Sequence, residues 1–204
     1  MLSASFNNYS RAWHTKPLHA MDNKKAYRPK WDHYFMTMAM MIAQRSTCDR
    51  LLAGSVLVRD KRVIGTGYNG SPSGLDHCDD VGHLMHEGHC IRTLHSEENT
   101  VIQAAKLGII TEGSTLYTTY SPCYHCLKKM IAAGVKRIVV GQIYRDTRIF
   151  ETCMKAGVQL EIHQPDTKWL DHLTELYQTA PREKLGDIKP GDAHVEDRTS
   201  SQTF

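Results

Sequence analysis

Hydrophobic residues along the chain follow two spacings, and together these predict alternating helices and strands. From Trp31 to Gln44, apolar side chains recur at every third or fourth position, which is the stripe of an amphipathic helix. The segments 55–59 and 62–68, separated by Asp60 and Lys61, predict a β-hairpin. Further along, the pattern predicts helices over 96–107, 122–133 and 147–156 that alternate with strands over 115–119, 137–141 and 158–162.

This order of elements predicts an α/β fold. Helices that separate consecutive strands imply right-handed crossovers and parallel pairing. We therefore expect a three-layer α/β/α arrangement. Its mixed sheet has about five strands, a hairpin joined to parallel strands, with helices on both faces.

The ends of the chain differ in character from its middle. Residues 1–30 form a polar, basic extension, residues 31–178 the folded domain with a last helix over 166–177, and residues 179–204 a polar tail. Within the domain, residues 75–94 are rich in Asp, His and Cys and have no clean period. That segment needs an organiser other than a hydrophobic face.

Charge and hydropathy exclude several classes of function. The net charge of +3 comes from the first 30 residues, so the body of the chain is nearly neutral and lacks a nucleic-acid footprint. No apolar run approaches the ~18 residues of a membrane span. The first residues also lack the layout of a signal peptide. We expect a cytoplasmic protein, in the host cytoplasm if the source is viral, that engages neither nucleic acid nor membrane.

Six cysteines and twelve histidines are the unusual counts. In a reducing compartment such cysteines favour metal binding over disulfides. Two predicted helix starts carry the relevant groups. His95-Ser96-Glu97 opens one helix. The other begins with Ser121 as cap and Pro122 as first helical residue, which places Cys123 and Cys126 on one face.

This donor set predicts a catalytic zinc centre. Two thiolates, from Cys123 and Cys126, and the imidazole of His95 leave the fourth tetrahedral position for water. A zinc ion lowers the pKa of bound water from 15.7 toward roughly 7. Glu97 lies two residues from His95 and is not needed as a ligand, so it suits a proton shuttle. The competing interpretation is a structural zinc site with an incidental glutamate.

The combined pattern H-x-E…P-C-x-x-C is the signature of zinc-dependent nucleobase deaminases. Over residues 31–163 the chain most resembles the deoxycytidylate (dCMP) deaminases, including phage and bacterial late-competence relatives. The matching stretches, besides the two zinc motifs, are Trp31-Asp-His-Tyr-Phe-Met36, Arg45-Ser-Thr-Cys-Asp-Arg50, Gly67-Tyr-Asn-Gly-Ser-Pro72 and Gly88-His-Cys-Ile-Arg-Thr93. Ser96 occupies the position at which the motif of this family more commonly has Ala. We expect this difference to leave zinc binding and the proton shuttle intact.

The resemblance implies a cytidine-deaminase-like fold and the conversion of dCMP and water to dUMP and ammonia, which supplies thymidylate synthesis. In the implied mechanism, water activated by zinc attacks C4 of cytosine. Glu97 takes a proton from that water, delivers it to N3 and later protonates the departing amine.

A mononucleotide also needs sugar, phosphate and base contacts. Arg50 and Arg92 are candidates for the phosphate, because guanidinium offers paired donors, or they are plain surface ion pairs. Asn69 resembles the asparagine that related deaminases aim at the sugar, although a turn would accommodate it equally well. For Tyr120 two roles stay open: its ring lines the base pocket, or it packs against neighbouring residues of the fold.

Some phage-type dCMP deaminases carry a second, structural zinc, and the resemblance implies one here. The set Cys48, Cys78, His89 and Cys90 would close a tetrahedral site, with His83 or His86 as replacements for His89. This zinc would organise residues 75–94. The alternative is free thiols with solvent-exposed histidines.

The resemblance further implies a homo-oligomer, often a hexamer, activated by dCTP and inhibited by dTTP, with Mg²⁺ accompanying the nucleotide. The candidate effector residues are Gly67, Asn69 and Gly70, within 67–74. Rival functions are deamination of dCTP, cytidine, guanine or a base within a nucleic acid. A rival from another class is a non-catalytic, zinc-stabilised interaction protein, against which Glu97 argues.

Overall fold

The computed structural model describes residues 28–166 and 168–179. Most of the predicted extension (1–27) and of the predicted tail (180–204) lies outside these residues. In chain order the elements are α1 (Trp31–Ala43), β1 (Gly54–Arg59), β2 (Arg62–Tyr68), α2 (Cys78–Val81), β3 (Met85–His86), β4 (His89–Cys90), α3 (Ser96–Lys106), β5 (Thr115–Tyr120), α4 (Tyr124–Ala132), β6 (Arg137–Gln142), α5 (Arg148–Ala156), β7 (Gln159–Ile162) and α6 (Lys168–Thr179).

Five strands form a mixed sheet in the order β2-β1-β5-β6-β7. β1 pairs antiparallel with both β2 and β5, whereas β5, β6 and β7 run parallel. Asp60 and Lys61 close the β1–β2 hairpin with φ of 51° and 60°, as a two-residue turn of primed type requires. The predicted hairpin joined to parallel strands is confirmed.

Alternation along the strands sends side chains to two separate cores. On one face, Val56 and Val58 of β1, with Val139 of β6, pack against Phe35 and Met36 of α1. On the other face the strands pack against α4 and α5, through Leu57, Leu116, Ile138, Val140, Leu127, Met130, Ile149 and Cys153. The predicted three layers with helices on both faces are therefore confirmed, and Cys153 is buried in the core as one of its apolar members.

α6 belongs to a separate compact unit that begins after Asp166. The predicted domain 31–178 includes this helix. Within its own unit it is a twelve-residue helix, Lys168–Thr179. In the described part of the chain, no helix combines the length and the apolar character needed to cross a membrane.

β2 and α3 approach so closely that only glycine fits at position 67. A Cβ atom there would collide with the carbonyl oxygen of Ser96 and with Thr100. Because Gly67 has no side chain, the first turn of α3 lies directly against the strand. The start of α3, where His95 and Glu97 lie, is thus held by the sheet.

An ion-pair network ties α1 to β6 and β7. The guanidinium of Arg137 donates to both oxygens of Asp32 (2.8 and 3.0 Å) and to Glu161 (2.7 and 2.9 Å). These hydrogen bonds from Arg137 lower the pKa of both Asp32 and Glu161. The network lies at the edge of the sheet where the parallel strands β5 and β6 begin. The motif with Cys123 and Cys126 follows the end of β5, at the opposite edge.

Candidate active site

Two helix N-termini meet at the predicted catalytic centre. His95 is the N-cap of α3 and Cys123 is the N-cap of α4, and both have extended backbone conformations. Cys126 lies in the first turn of α4, one turn beyond Cys123. The positive ends of two helices therefore face one point, an arrangement that favours anionic side chains and thiolates there.

The start of α4 differs from the prediction. Tyr124, not Pro122, is the first helical residue, and the cap is Cys123 rather than Ser121. Ser121 is engaged elsewhere, because its hydroxyl accepts a hydrogen bond from the backbone N–H of Tyr144 (2.7 Å). This leaves the thiol of Cys123, in extended backbone, on the same side as Cys126.

The three donor atoms have the spacing of a metal site. Nδ1 of His95 lies 3.7 Å from Sγ of Cys123 and 3.5 Å from Sγ of Cys126. All three atoms lie within 4.8 Å of one another. Tetrahedral zinc, with bonds of about 2.3 Å to sulfur and about 2.0 Å to nitrogen, places its donors about 3.5–3.8 Å apart. The residues present therefore fit zinc, with three donors.

Hydrogen bonds within this cluster shift the pKa values of its members. A hydrogen bond from the Cys126 thiol lowers the pKa of Cys123 to about 3 and correspondingly raises the pKa of Cys126. The hydrogen bond with Cys123 raises the pKa of His95 to about 9. A divalent ion bound here would replace the protons that these hydrogen bonds hold on His95 and Cys126.

Glu97 is a buried carboxyl group that faces this cluster. Only 5% of its surface is exposed. Its Oε1 atom lies 3.9 Å from Nδ1 of His95, while its Oε2 atom accepts a hydrogen bond from the hydroxyl of Ser96 (3.0 Å). Burial raises the pKa of Glu97 above its usual value. A carboxyl group of raised pKa can both accept and donate a proton near neutral pH.

A second group of donors lies in the segment that lacked hydrophobic periodicity. Cys48, Cys78, His83 and Cys90 place their ligand atoms within 4.8 Å of one another. Sγ of Cys78 is 3.5 Å from Sγ of Cys90, and Sγ of Cys48 is 3.8 Å from Nδ1 of His83. These four donors fit a closed tetrahedral zinc site. The described part of the chain contains these two groups of three or more metal-competent side chains.

The structure contradicts His89 as a member of this second group. β3 and β4 pair Met85 with Cys90 and His86 with His89. Neighbouring residues of a strand face opposite sides, so a β4 strand that turns Cys90 toward the other thiols turns His89 away. His89 and its cross-strand partner His86 are both exposed. His83, the first of the predicted replacements, takes the position.

Asp49 is a residue that the sequence analysis missed. Its Oδ1 atom lies 3.0 Å from Nε2 of His83, so the imidazole keeps its Nδ1 atom for the thiol group. A carboxylate that binds the far nitrogen of a ligating histidine is a common device for fixing the ring. The only signal in the sequence was its position next to Cys48.

Arg50 and Arg92 bind the backbone of this same region. Arg50 donates to the carbonyl oxygen of Gly88 (3.1 Å), and Arg92 donates to that of Gly82 (3.0 Å). Both contacts are exposed, and they brace the segment around the β3–β4 hairpin. A role of either arginine in binding phosphate stays a prediction.

Asn69 anchors the start of α3. Its amide oxygen accepts the N–H of Ser96 (2.8 Å), and its amide nitrogen donates to the carbonyl oxygen of Leu51 (2.9 Å). Gly70 exchanges two backbone hydrogen bonds with Leu94. The turn 67–70 thereby holds the segment that leads into His95. Contacts of Asn69 with a sugar, or of Gly67, Asn69 and Gly70 with an effector, stay predictions.

Tyr120 ends β5 immediately before the Cys123 motif and is half-buried. Its carbonyl oxygen accepts a hydrogen bond from the hydroxyl of Thr118 (3.0 Å). Whether its ring lines a base pocket stays a prediction. Thr118 and its neighbour Ser55 are further buried polar residues near the site that the sequence analysis did not single out.

Residues 29–142 match the model of the cytidine and deoxycytidylate deaminase zinc-binding region. This stretch runs from α1 to β6 and contains both donor clusters as well as Glu97. The chain belongs to this deaminase family. The zinc predicted from the donor set is therefore the metal of the family, and the sequence-based resemblance is confirmed.

Individual family members resemble this chain over about 70% of its length. It is 42% identical to ComE operon protein 2 of Bacillus subtilis (strain 168), over 71% of this chain and 77% of that protein. It is 36% identical to the deoxycytidylate deaminase of Saccharomyces cerevisiae over 71% of this chain, and spans half the length of that relative.

Among solved structures, the dCMP deaminase from the cyanophage S-TIM5 in complex with dCMP and dUMP is similar. It shares 29% sequence identity and superimposes with a TM-score of 0.60 over 67% of this chain and 99% of the phage chain.

Proposed function

We propose that this protein is a zinc-dependent hydrolase that converts dCMP and water to dUMP and ammonia. The observation that carries the proposal is the buried carboxyl group of Glu97 facing a cluster of three, rather than four, zinc donors. A purely structural zinc site has no need for such a group. The choice of dCMP is supported by the deoxycytidylate deaminases among its relatives and by the similar phage enzyme with dCMP and dUMP bound.

In the proposed site His95, Cys123 and Cys126 hold the zinc ion. When bound, zinc supplies the Lewis acid that makes water a nucleophile at neutral pH. Glu97 accepts a proton from the water that attacks C4 of cytosine and delivers it to N3. It then takes the proton of the hydroxyl group formed at C4 and passes it to the departing amine as the C4 carbonyl forms, so in each transfer the carboxyl group acts first as a base and then as an acid.

The second cluster is proposed to hold a structural zinc through Cys48, Cys78, His83 and Cys90. Support comes from the four donors, which fill the tetrahedral positions, and from Asp49, which fixes the imidazole of His83. This zinc would join the loop after α1 to α2 and the β3–β4 hairpin. These are the segments in which the hydrophobic pattern is weakest.

Regulation and assembly are further parts of the proposal that rest on the family resemblance. We propose a cytoplasmic homo-oligomer, hexameric as in relatives, that dCTP with Mg²⁺ activates and dTTP inhibits. Light scattering gives the oligomer size. Initial rates against dCMP concentration, with and without each nucleotide, test the regulation, and rate curves that neither nucleotide changes would contradict it.

The substrate is tested by incubating the purified protein with dCMP, dCTP, cytidine and single-stranded DNA while following the loss of cytosine absorbance. We expect deamination of dCMP. Activity on dCTP as well would broaden the substrate class. Activity confined to cytidine or to DNA would contradict the proposal, and a zinc-loaded protein without activity on any of them would favour the interaction-protein alternative.

A further inference from the structure

The two oxygens of the Glu97 carboxyl group have different surroundings. Oε1 faces Nδ1 of His95 at 3.9 Å, on the side of the zinc donors, whereas Oε2 accepts a hydrogen bond from the hydroxyl of Ser96 at 3.0 Å. We propose that Ser96 is a positioning residue that holds Oε2 so that Oε1 is presented to the reacting water. The proposal deepens the proposed function and rests on it.

The hydroxyl of Ser96 is itself held by a buried chain. It accepts a hydrogen bond from the hydroxyl of Ser55 (2.8 Å), and the oxygen of Ser55 lies 3.0 Å from that of Thr118. Thr118 donates to the carbonyl oxygen of Tyr120. Ser55, Ser96 and Thr118 are all completely buried. The chain therefore connects Glu97 to β1 and β5, two neighbouring strands of the sheet.

This chain of buried hydroxyl groups cannot serve as a route for protons to solvent. It ends on a carbonyl oxygen, which accepts a hydrogen bond but carries no proton to pass on. None of its hydroxyl groups reaches water. Its remaining effect on Glu97 is orientation, because it ties one carboxyl oxygen to the rigid centre of the sheet.

The backbone of residue 96 is fixed independently of its side chain. Its N–H donates to Asn69, and its carbonyl oxygen accepts the hydroxyl of Thr100 (2.8 Å). Gly67 packs directly against that carbonyl group. The substitution Ser96→Ala therefore removes the hydroxyl group while the start of α3 keeps its other contacts. The sequence analysis treated the presence of serine here as neutral, and the structure gives it a role.

The test is the kinetics of Ser96→Ala with dCMP. We expect kcat to fall about tenfold through the lost orientation of Glu97, with KM within about twofold of wild type and zinc content unchanged. Thr100→Val is the matched control. It removes an equally buried hydroxyl group from the same helix, one that bonds to backbone instead of Glu97, and it should leave kcat unchanged.

Ser55→Ala provides a second, more distant variant. Because Ser55 reaches Glu97 only through Ser96, we expect a fall in kcat of about threefold, and the double variant should match Ser96→Ala rather than multiply the two losses. Multiplicative losses would contradict the chain. A wild-type kcat in Ser96→Ala, an altered KM with normal kcat, or an equal loss in Thr100→Val would overturn the positioning role.

A binding measurement separates this proposal from the proposed function. Calorimetry with a pyrimidin-2-one deoxynucleotide, which adds water at the reacting carbon, should show about tenfold weaker binding to Ser96→Ala, while dUMP binds equally to both proteins. If the analogue binds equally to wild type and to Ser96→Ala, the positioning role of Ser96 is contradicted but the proposed function is not. If the wild-type protein neither binds the analogue nor turns over dCMP, the proposed function fails and the positioning role fails with it.

Discussion

The two donor clusters use the same types of side chain, cysteine and histidine, but differ in the elements that hold them. His95, Cys123 and Cys126 are held by the N-termini of two helices that pack on the central sheet, and the buried Glu97 is beside them. The second cluster draws its four donors from loops, a four-residue helix and a two-stranded ribbon, and its nearby carboxylate, Asp49, is exposed and binds the histidine.

We propose that this difference separates a reactive zinc site from a structural one. Three donors leave a coordination position for water, whereas four donors fill the tetrahedron. A buried carboxyl group can move protons, whereas an exposed one that holds a ligand cannot reach a reacting atom. Helices fixed to the sheet hold the first cluster, whereas the second cluster lies in segments with little hydrophobic packing, which its proposed zinc would stabilise.

The largest expected effect comes from Glu97→Gln, which removes the proton shuttle but keeps size and burial. We expect kcat for dCMP to fall at least about a thousandfold, because acid–base catalysis by one group contributes about 10²–10⁴-fold. Zinc content should stay at two ions per chain by elemental analysis. Substantial residual turnover would show that Glu97 is not the shuttle.

Removing one thiol from each cluster tests the division of roles directly. Cys126→Ser should lose one zinc ion and all activity, with a small change in melting temperature. Cys90→Ser should also lose one zinc ion, but the melting temperature should fall by several degrees, because that ion organises the hairpin segment. Loss of activity with a normal melting temperature in Cys90→Ser, and a lowered melting temperature with normal activity in Cys126→Ser, would contradict this division of roles.

A pair of histidine variants tests the membership of the second cluster. His83→Ala should release one zinc ion and lower the melting temperature, whereas His89→Ala, on the face of β4 opposite to Cys90, should retain both ions. Zinc release is followed with a chromogenic chelator. Release from His89→Ala but not from His83→Ala would restore the ligand set expected from the sequence.

Asp49→Asn is a milder probe of the same cluster. It leaves all four donors in place but weakens the partner that fixes the imidazole of His83. We expect zinc affinity at this site to fall about tenfold, the lower end for such outer-shell changes. Competition with a chelator measures this, and unchanged affinity for both ions would show that Asp49 has no part in the site.

Arg137→Met serves as a control away from both clusters. The lowered pKa values of Asp32 and Glu161 mean that their contribution to stability is present above their ordinary pKa values, 3.8 and 4.5, and is lost as the pH falls through the lower folded values. The variant should be less stable by about 1 kcal/mol near neutral pH, after allowance for solvent screening.

The Arg137→Met deficit should shrink as the pH falls through the lowered pKa values of Asp32 and Glu161, because the wild-type carboxylates then also become protonated. Urea unfolding at several pH values measures this, and zinc content should not change. A deficit that grows at low pH would contradict the ion-pair account.

Local patterns predicted most of the fold. Alternating apolar residues identified the hairpin and the parallel strands because each strand buries one or both faces. The start of α4 was missed because the rule that favours serine as cap and proline as first residue was overridden by tertiary contacts: Ser121 binds Tyr144 instead. The short β3–β4 ribbon has no hydrophobic face, so no periodicity marks it.

The catalytic donors were predictable because they occur in two compact motifs, each at a helix start. His83 could not be distinguished from His86 and His89 by spacing alone, since the choice depends on which way the ribbon turns its side chains. The Ser96–Ser55–Thr118 chain joins residues 41 and 63 positions apart in sequence. Only the sheet and α3 bring them together.

The most direct test of the central claim is X-ray absorption at the zinc edge of the His83→Ala variant, which retains the ion beside Glu97 alone. The account predicts two sulfur donors, one imidazole nitrogen and one light oxygen donor from solvent. Four protein donors around that ion, or an ion bound without both thiolates, would contradict the assignment of an open catalytic zinc centre.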